Sequence, residues 1–256
     1  MDVLSNVLRF FRRYKMRANE FIKMLLLACL FLLPAVAVAA EPAGEIARIT
    51  GDSIAQARAT DGSMRTLEVG SAVNTGDAIS TGKDTTLIVR FADGSRFALG
   101  SQSEFVVDKF SYKQGAEDNS FHTSFIKGVF RFVSGLVAKS PGRDMKVKVI
   151  VATLGVRGTQ VEGEVSARQE KDGVRIDASA KVVLLEPEEK GKQTSIIVSN
   201  EFGSVIVDQP GYGTEIPDEK SPPSAVRKMQ LHTVDNVLRG LRSSVRQGGT
   251  PRPRMP

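Results

Sequence analysis

The sequence predicts an all-β fold: a sandwich or barrel-like roll of short antiparallel strands, with a short β-solenoid as the alternative architecture. Three observations carry this prediction. Apolar and polar residues alternate in short runs, at the two-residue period of a half-buried strand, and glycine turns separate the runs. Nowhere between Glu45 and Asp208 does an apolar stripe hold a 3.6-residue period over three turns. Eight of the nine phenylalanines beyond residue 40 fall between Phe91 and Phe132, which places one aromatic core worth roughly 2 kcal/mol per well-buried ring.

In chain order, a basic arm, Met1–Lys23, precedes ten uncharged residues, Met24–Leu33. Pro34 interrupts. Ala37-Val38-Ala39 or Val38-Ala39-Ala40 then offers the small residues a signal peptidase reads, so residues 1–40 are expected to be a secretory signal peptide. The expected destination is the periplasm or the medium. The alternative is a retained inner-membrane anchor, with the 17 residues Met24–Ala40 at the short limit for a spanning helix. Cys29 is the sole cysteine, and the apolar run continues past it, unlike a lipoprotein signal. The body therefore has neither a disulfide nor a cysteine metal site.

Residues 41–208 read as the β-domain. Glu45–Gly51 and Ser53–Arg58 flank the Gly51-Asp52 turn, and Leu67–Gly70 follows Asp61-Gly62. In Thr75–Leu99, two strand signals lie among three turn signals: Gly76-Asp77, Gly82-Lys83 and Asp93-Gly94-Ser95. Leu87, Val89 and Phe91 alternate with polar or outward neighbours, and Phe97 and Leu99 resume beyond the last turn. Glycine supplies the positive φ that a tight hairpin needs. Phe105–Val107, Phe121–Val133 and Lys146–Val151 continue as strands, with a polar loop at Lys113–Asn119 and a turn at Ser140-Pro141-Gly142. Val174–Ala178, Lys181–Leu185, Thr194–Val198 and Phe202–Val207 extend the meander.

Residues 209–223 hold four prolines and read as a linker. Beyond them the period changes. Leu231, Val234, Leu238, Leu241 and Val245 form an apolar stripe, predicting an amphipathic helix over 224–247 capped by Ser224, with a disordered tail at 248–256. Two uses are open to that helix: lying on its own domain, or docking on a partner or on anionic lipid.

The net charge of +6 hides a division. Residues 41–223 carry 22 basic against 26 acidic side chains, and the excess of positive charge sits at the two ends. A nucleic-acid-binding core is not expected from that balance. Nor is catalysis. His122 and His232 have no ligand or triad spacing, and no nucleophile elbow, phosphate loop or dinucleotide fingerprint is present. Asp52, Asp61, Asp77 and Asp93 adjoin glycines in turns without the dense spacing of a calcium loop. No enzyme activity, cofactor or metal is expected.

Two stretches also carry a family resemblance. Gly76-Asp77-x-Ile79-x-Thr81-Gly82, followed by Phe91-x-Asp93-Gly94-Ser95-x-Phe97-x-Leu99, resembles the core of the FecR domain, a periplasmic β-domain of iron-uptake regulators and other exported proteins. Gly155-Val156-Arg157-Gly158-Thr159 resembles its second signature. The likeness spans roughly Glu45–Val165. It implies an extracytoplasmic module that senses or scaffolds by contact, with the motif residues Gly76, Asp77, Thr81, Gly82, Asp93, Gly94, Ser95, Gly155, Arg157, Gly158 and Thr159 structural. Gly155 and Gly158 are expected to permit a bend or close backbone contact, and Arg157 to pair with a carboxylate or main-chain carbonyls.

The leading functional expectation is thus a non-enzymatic exported domain that binds a protein or a cell-envelope component. The alternative is a membrane-anchored signal transducer like the family's regulators of sigma factors. Those regulators carry a sizeable cytoplasmic segment, whereas about 23 residues precede the apolar run here, too few to fold alone.

Overall fold

Short alternating runs between glycine turns become strands, and the molecule is built from little else. The computed structural model describes residues 42–142, 144–187, 194–232 and 234. The expected signal peptide, the tail at 248–256 and the helix beyond Val234 lie outside these residues. The first half of the described chain runs β1 (Gly44–Thr50), β2 (Ala55–Arg58), β3 (Met64–Thr66), β4 (Ala72–Val73), β5 (Ala78–Thr81), β6 (Thr86–Phe91), β7 (Arg96–Leu99) and β8 (Glu104–Ser111). Next comes β9 (Ser120–Val133), the longest at 14 residues. A 3-10 turn at Val137–Lys139 leads to β10 (Asp144–Val149), β11 (Ala152–Arg157) and β12 (Gln160–Ser166). The hairpin β13 (Gln169–Lys171) and β14 (Val174–Ile176) stands apart. Then follow β15 (Ser179–Leu185), β16 (Ser195–Asn200), β17 (Gly203–Val207), β18 (Tyr212–Ile216) and β19 (Arg227–Lys228).

Apart from that hairpin, the strands form two layers that share β9. Sheet I has the order β4-β1-β6-β7-β9-β12-β15-β18-β19. Sheet II has the order β3-β2-β5-β8-β9-β10-β11-β16-β17. The first part of β9 belongs to sheet II, where Phe125 pairs with Phe105 and Val149. Its last part belongs to sheet I, where Phe132 lies between Phe97 and Val161. The change of layer occurs at Gly128, whose φ is +103° and where a Cβ would stand 2.2 Å from Ser103 Oγ. Both the left-handed backbone and the close approach require glycine.

The phenylalanine cluster sits between the layers as predicted. Phe91 of sheet I meets Phe121 of sheet II at a ring-centroid distance of 4.5 Å, and Phe97 meets Phe105 at 4.7 Å. Phe97 and Phe132 stack at 4.4 Å across neighbouring strands. Over the described residues the fold is all-β and two-layered, without a closed barrel.

Three differences from the sequence reading concern strand pairing and the chain after residue 208. Not every pair is antiparallel: β10 runs parallel to the first part of β9, because the crossover after Val133 returns the chain to the start of β9 on the other sheet. The expected linker at 209–223 is built into sheet I. Its prolines flank the run Tyr212–Ile216 rather than interrupt it, so β18 pairs with β15 through Ala180↔Ile216 to Val183↔Gly213. Ser224 caps no helix. Its N–H donates to the Glu215 carbonyl at 2.9 Å, and Arg227–Lys228 is a strand on Tyr212–Gly213, so helical backbone begins only at His232.

Candidate functional site

Most of the motif residues are used up by the fold. Gly76 holds φ +88°, and its N–H donates to the Val107 carbonyl at 2.7 Å. Asp77 is buried, and both its carboxylate oxygens accept from the Arg65 guanidinium, with Asn74 N–H donating to Oδ2 at 2.7 Å. This bidentate pair ties β3 to the β4–β5 turn. The Thr81 hydroxyl donates to the Gly100 carbonyl at 2.6 Å and accepts from Ser103 N–H at 2.9 Å. Gly82 lies so close to the turn before β2 that a Cβ would meet Ser53 Cβ at 2.4 Å.

Asp93-Gly94-Ser95 is a plugged turn and not a site. Oδ1 of Asp93 accepts from Ser95 N–H at 2.9 Å, and Oδ2 accepts from the Ser95 hydroxyl at 2.8 Å and from Val137 N–H at 3.3 Å. The Asp93 carbonyl accepts from Leu136 N–H at 2.8 Å, and the Ser95 hydroxyl oxygen from Gly135 N–H at 2.8 Å. The segment after β9 is thereby pinned over the hairpin, and both Asp93 and Ser95 are fully buried.

The second signature divides. Gly158 adopts φ +56°, and Thr159 is buried, with its N–H donating to Ser134 Oγ at 2.7 Å and its hydroxyl bonded to that of Thr194. Gly155 and Arg157 behave otherwise. Alternation along β11 sends Leu154 and Val156 into the core and turns Thr153, Gly155 and Arg157 outward. Gly155 makes no close approach: a Cβ there would meet nothing nearer than Ile197 Cβ at 3.8 Å. Arg157 is exposed and pairs with no carboxylate or carbonyl among the described residues, contrary to the expectation from sequence. With Thr194, Ser195 and Asp208 it lines a polar recess of about 350 Å³.

Around these two residues lies the open face of sheet II. Cross-strand pairing sets His122, Lys146, Gly155, Ile197 and Ile206 in one row, and Ser124, Lys148, Thr153, Ser199 and Ser204 in the next. Ile197 and Ile206 are 49% and 62% exposed. Alternation along β10 turns Lys146 and Lys148 outward, and the register shows what stands beside them.

The outer face of sheet I is covered instead. Met229, Leu231 and Val234 lie on an apolar strip of Ile88, Ala98, Val129, Val183 and Leu185. Leu231 and Val234 open the predicted amphipathic stripe, so its start is spent within the chain. On the same face Arg131 Nη2 donates to Glu162 Oε2 at 2.8 Å, with side chains 14% and 3% exposed. Arg131 lies on the opposite side of β9 from Phe130 and Phe132, and nothing nearby in the sequence points to its partner.

Titratable chemistry on sheet II is modest. His122 Nε2 lies 2.8 Å from Asp144 Oδ1, and Lys146 Nζ 3.1 Å from the same oxygen. Partial burial pushes the Asp144 carboxyl up, but hydrogen bonds and charge from His122 and Lys146 outweigh it and hold it below the usual carboxylate value. A carboxyl depressed in the native state adds stability that is present above about pH 4 and is lost as the pH falls through its native value. Asp144→Asn is therefore expected to flatten the fall in melting temperature between about pH 4 and the acid transition. An unchanged slope would contradict the pairing. Among the described residues no three His, Cys, Asp or Glu side chains gather as a metal site, and His232 stands exposed. Also among them, no helix is long and apolar enough to cross a membrane.

The family model described as FecR protein matches residues 77–186. Two crystal structures of a candidate anti-sigma factor from Parabacteroides distasonis are similar at 14% identity, with TM-scores of 0.41 and 0.42, over 70% of this chain and 68% of theirs. Likeness of that degree carries no argument about partner or activity. No curated protein matches the chain.

Proposed function

We propose, from the match of residues 77–186 to the FecR protein family model, that the chain is an exported, non-enzymatic sensor or scaffold that holds a protein or a cell-envelope component. The observation that carries the reading is the division of the motif residues. All but Gly155 and Arg157 are bound into turns and buried contacts, and these two stand together on an open sheet face. A surface of that kind suits contact with a macromolecule better than enclosure of a substrate. Export to the periplasm rests on the basic arm, apolar run and small-residue site before Glu41.

The test is a pull-down from the native envelope, using the full chain and a chain ending at Val234. Truncation at 223 is unsuitable, because it removes β19 and the cover of sheet I. Both proteins are expected to retain the same saturable partner. Loss of the partner with the shorter chain would move the contact to the tail, and capture of none by either would overturn the binding reading.

A further inference from the structure

We propose that the outer face of sheet II at Gly155 docks an extended acidic segment of a partner protein, with two carboxylates four residues apart and an apolar side chain midway. The inference rests on the binding reading above and deepens it.

Gly155 is the first observation. It sits inside a strand with φ outside the left-handed range, and a Cβ there would make only an ordinary contact with Ile197, at 3.8 Å. Nothing in its own fold requires glycine there, and glycine weakens a strand relative to alanine. A strand glycine of this kind marks a place where another backbone or ligand comes close.

Charge is the second. Arg157 and Lys148 are exposed, and neither has an ion-pair partner among the described residues. Lys148 stands opposite Thr153, so the two cations flank Gly155 along β11, at Arg157 and at the level of Thr153. Their rows are two pleats on either side of one glycine, a span of about 13 Å at about 3.3 Å per residue. An extended segment over this face matches that span with side chains i and i+4, and side chain i+2 falls over the notch at Gly155. Of the acidic groups near this face, Asp144 is engaged by His122 and Lys146, Asp108 accepts from the Ser124 hydroxyl at 2.7 Å, and Asp208 lines the same recess as Arg157.

The apolar pair is the third. Ile197 and Ile206 are direct cross-strand partners next to the notch, and both are exposed. Strand β17, which carries Ile206, is the last strand of sheet II among the described residues, and Gly203–Val207 has none of the charges or prolines that usually guard an edge. Guanidinium and ammonium groups would fix the two carboxylates, with the isoleucines receiving the residue between them.

The probe is the labelled peptide Ser-Glu-Ser-Val-Ser-Glu-Ser, titrated by fluorescence anisotropy against the full chain at physiological salt. One control replaces both glutamates by lysine; a second moves one glutamate by a single residue, which sends it to the other side of the extended peptide. The expected result is saturable binding to the first peptide, about ten-fold or more tighter than to either control. Gly155→Val fills the notch with a side chain its own fold accommodates. It is expected to weaken binding about ten-fold while leaving the melting temperature unchanged or raised, and Arg157→Ala to weaken binding with no thermal loss. Absence of saturable binding, equal binding of either control, or indifference to Gly155→Val overturns the proposal. In the envelope pull-down, a partner held equally by wild type and Gly155→Val would leave the binding reading standing and remove this face as its site.

Discussion

Arg131→Leu is expected to destabilise the protein by roughly 3–5 kcal/mol, because it leaves the carboxylate of Glu162 buried without its countercharge. At this chain length the loss corresponds to a fall in melting temperature of very roughly 6–20 °C. Arg131 and Glu162 face each other on adjacent strands of sheet I beside the strip that Met229, Leu231 and Val234 cover, and the Glu162 side chain is only 3% exposed. The double variant Arg131→Leu/Glu162→Leu is expected to recover most of the loss. Leucines there would join the strip of Ile88, Ala98, Val129 and Val183, and apolar replacement of a whole buried pair is often neutral or better. Thermal melts of the three proteins decide it. A single variant no worse than the double would show that the pair is not desolvated as the structure has it.

The second large effect lies at the plugged turn. Asp93→Ala removes the acceptor from the Ser95 and Val137 N–H groups and the Ser95 hydroxyl, all in buried positions. Each buried donor left without a partner costs on the order of 1–3 kcal/mol, so a total of about 3–5 kcal/mol is expected. Asp93→Asn keeps the shape and one acceptor oxygen and should fall between. Gly135→Ala reports on the same plug from the other side, since its Cβ would lie 2.3 Å from the Asp93 carbonyl oxygen. If Asp93→Ala melts with the wild type, the turn does not anchor the segment after β9.

How far the sequence could be read depended on whether a feature is local. Alternation and glycine turns are local, and they located the phenylalanine core and most of the longer strands, though not β11, β12 or β18. Pairing is not local. Nothing near Asp77 announces Arg65, nothing near Arg131 announces Glu162, and nothing near Lys146 tells that β10 lies parallel to β9. The prolines of 209–223 misled because their number was weighed and their positions were not: Pro210 and Pro217 bracket a clean five-residue run. Arg157 was misjudged by residue type, although the alternation of Leu154 and Val156 already put it on the wet side. The candidate surface was thus half legible. Its residues stood in plain sight as outward positions, while their adjacency came only from register across four strands.

The strand shared by both sheets constrains how the molecule can form. β9 pairs with β7 and β8 before it and with β10 and β12 after it, so neither layer can close until the middle of the chain is in place. Partners on both sides must be brought together across long loops before any of those contacts stabilise the chain, which makes the nucleus entropically costly and the folding slow for its size. The same arrangement denies the molecule a seam. A cut on either side of β9 leaves one piece with an unpaired, phenylalanine-rich edge, so the two halves of this chain rise and fall as one cooperative unit.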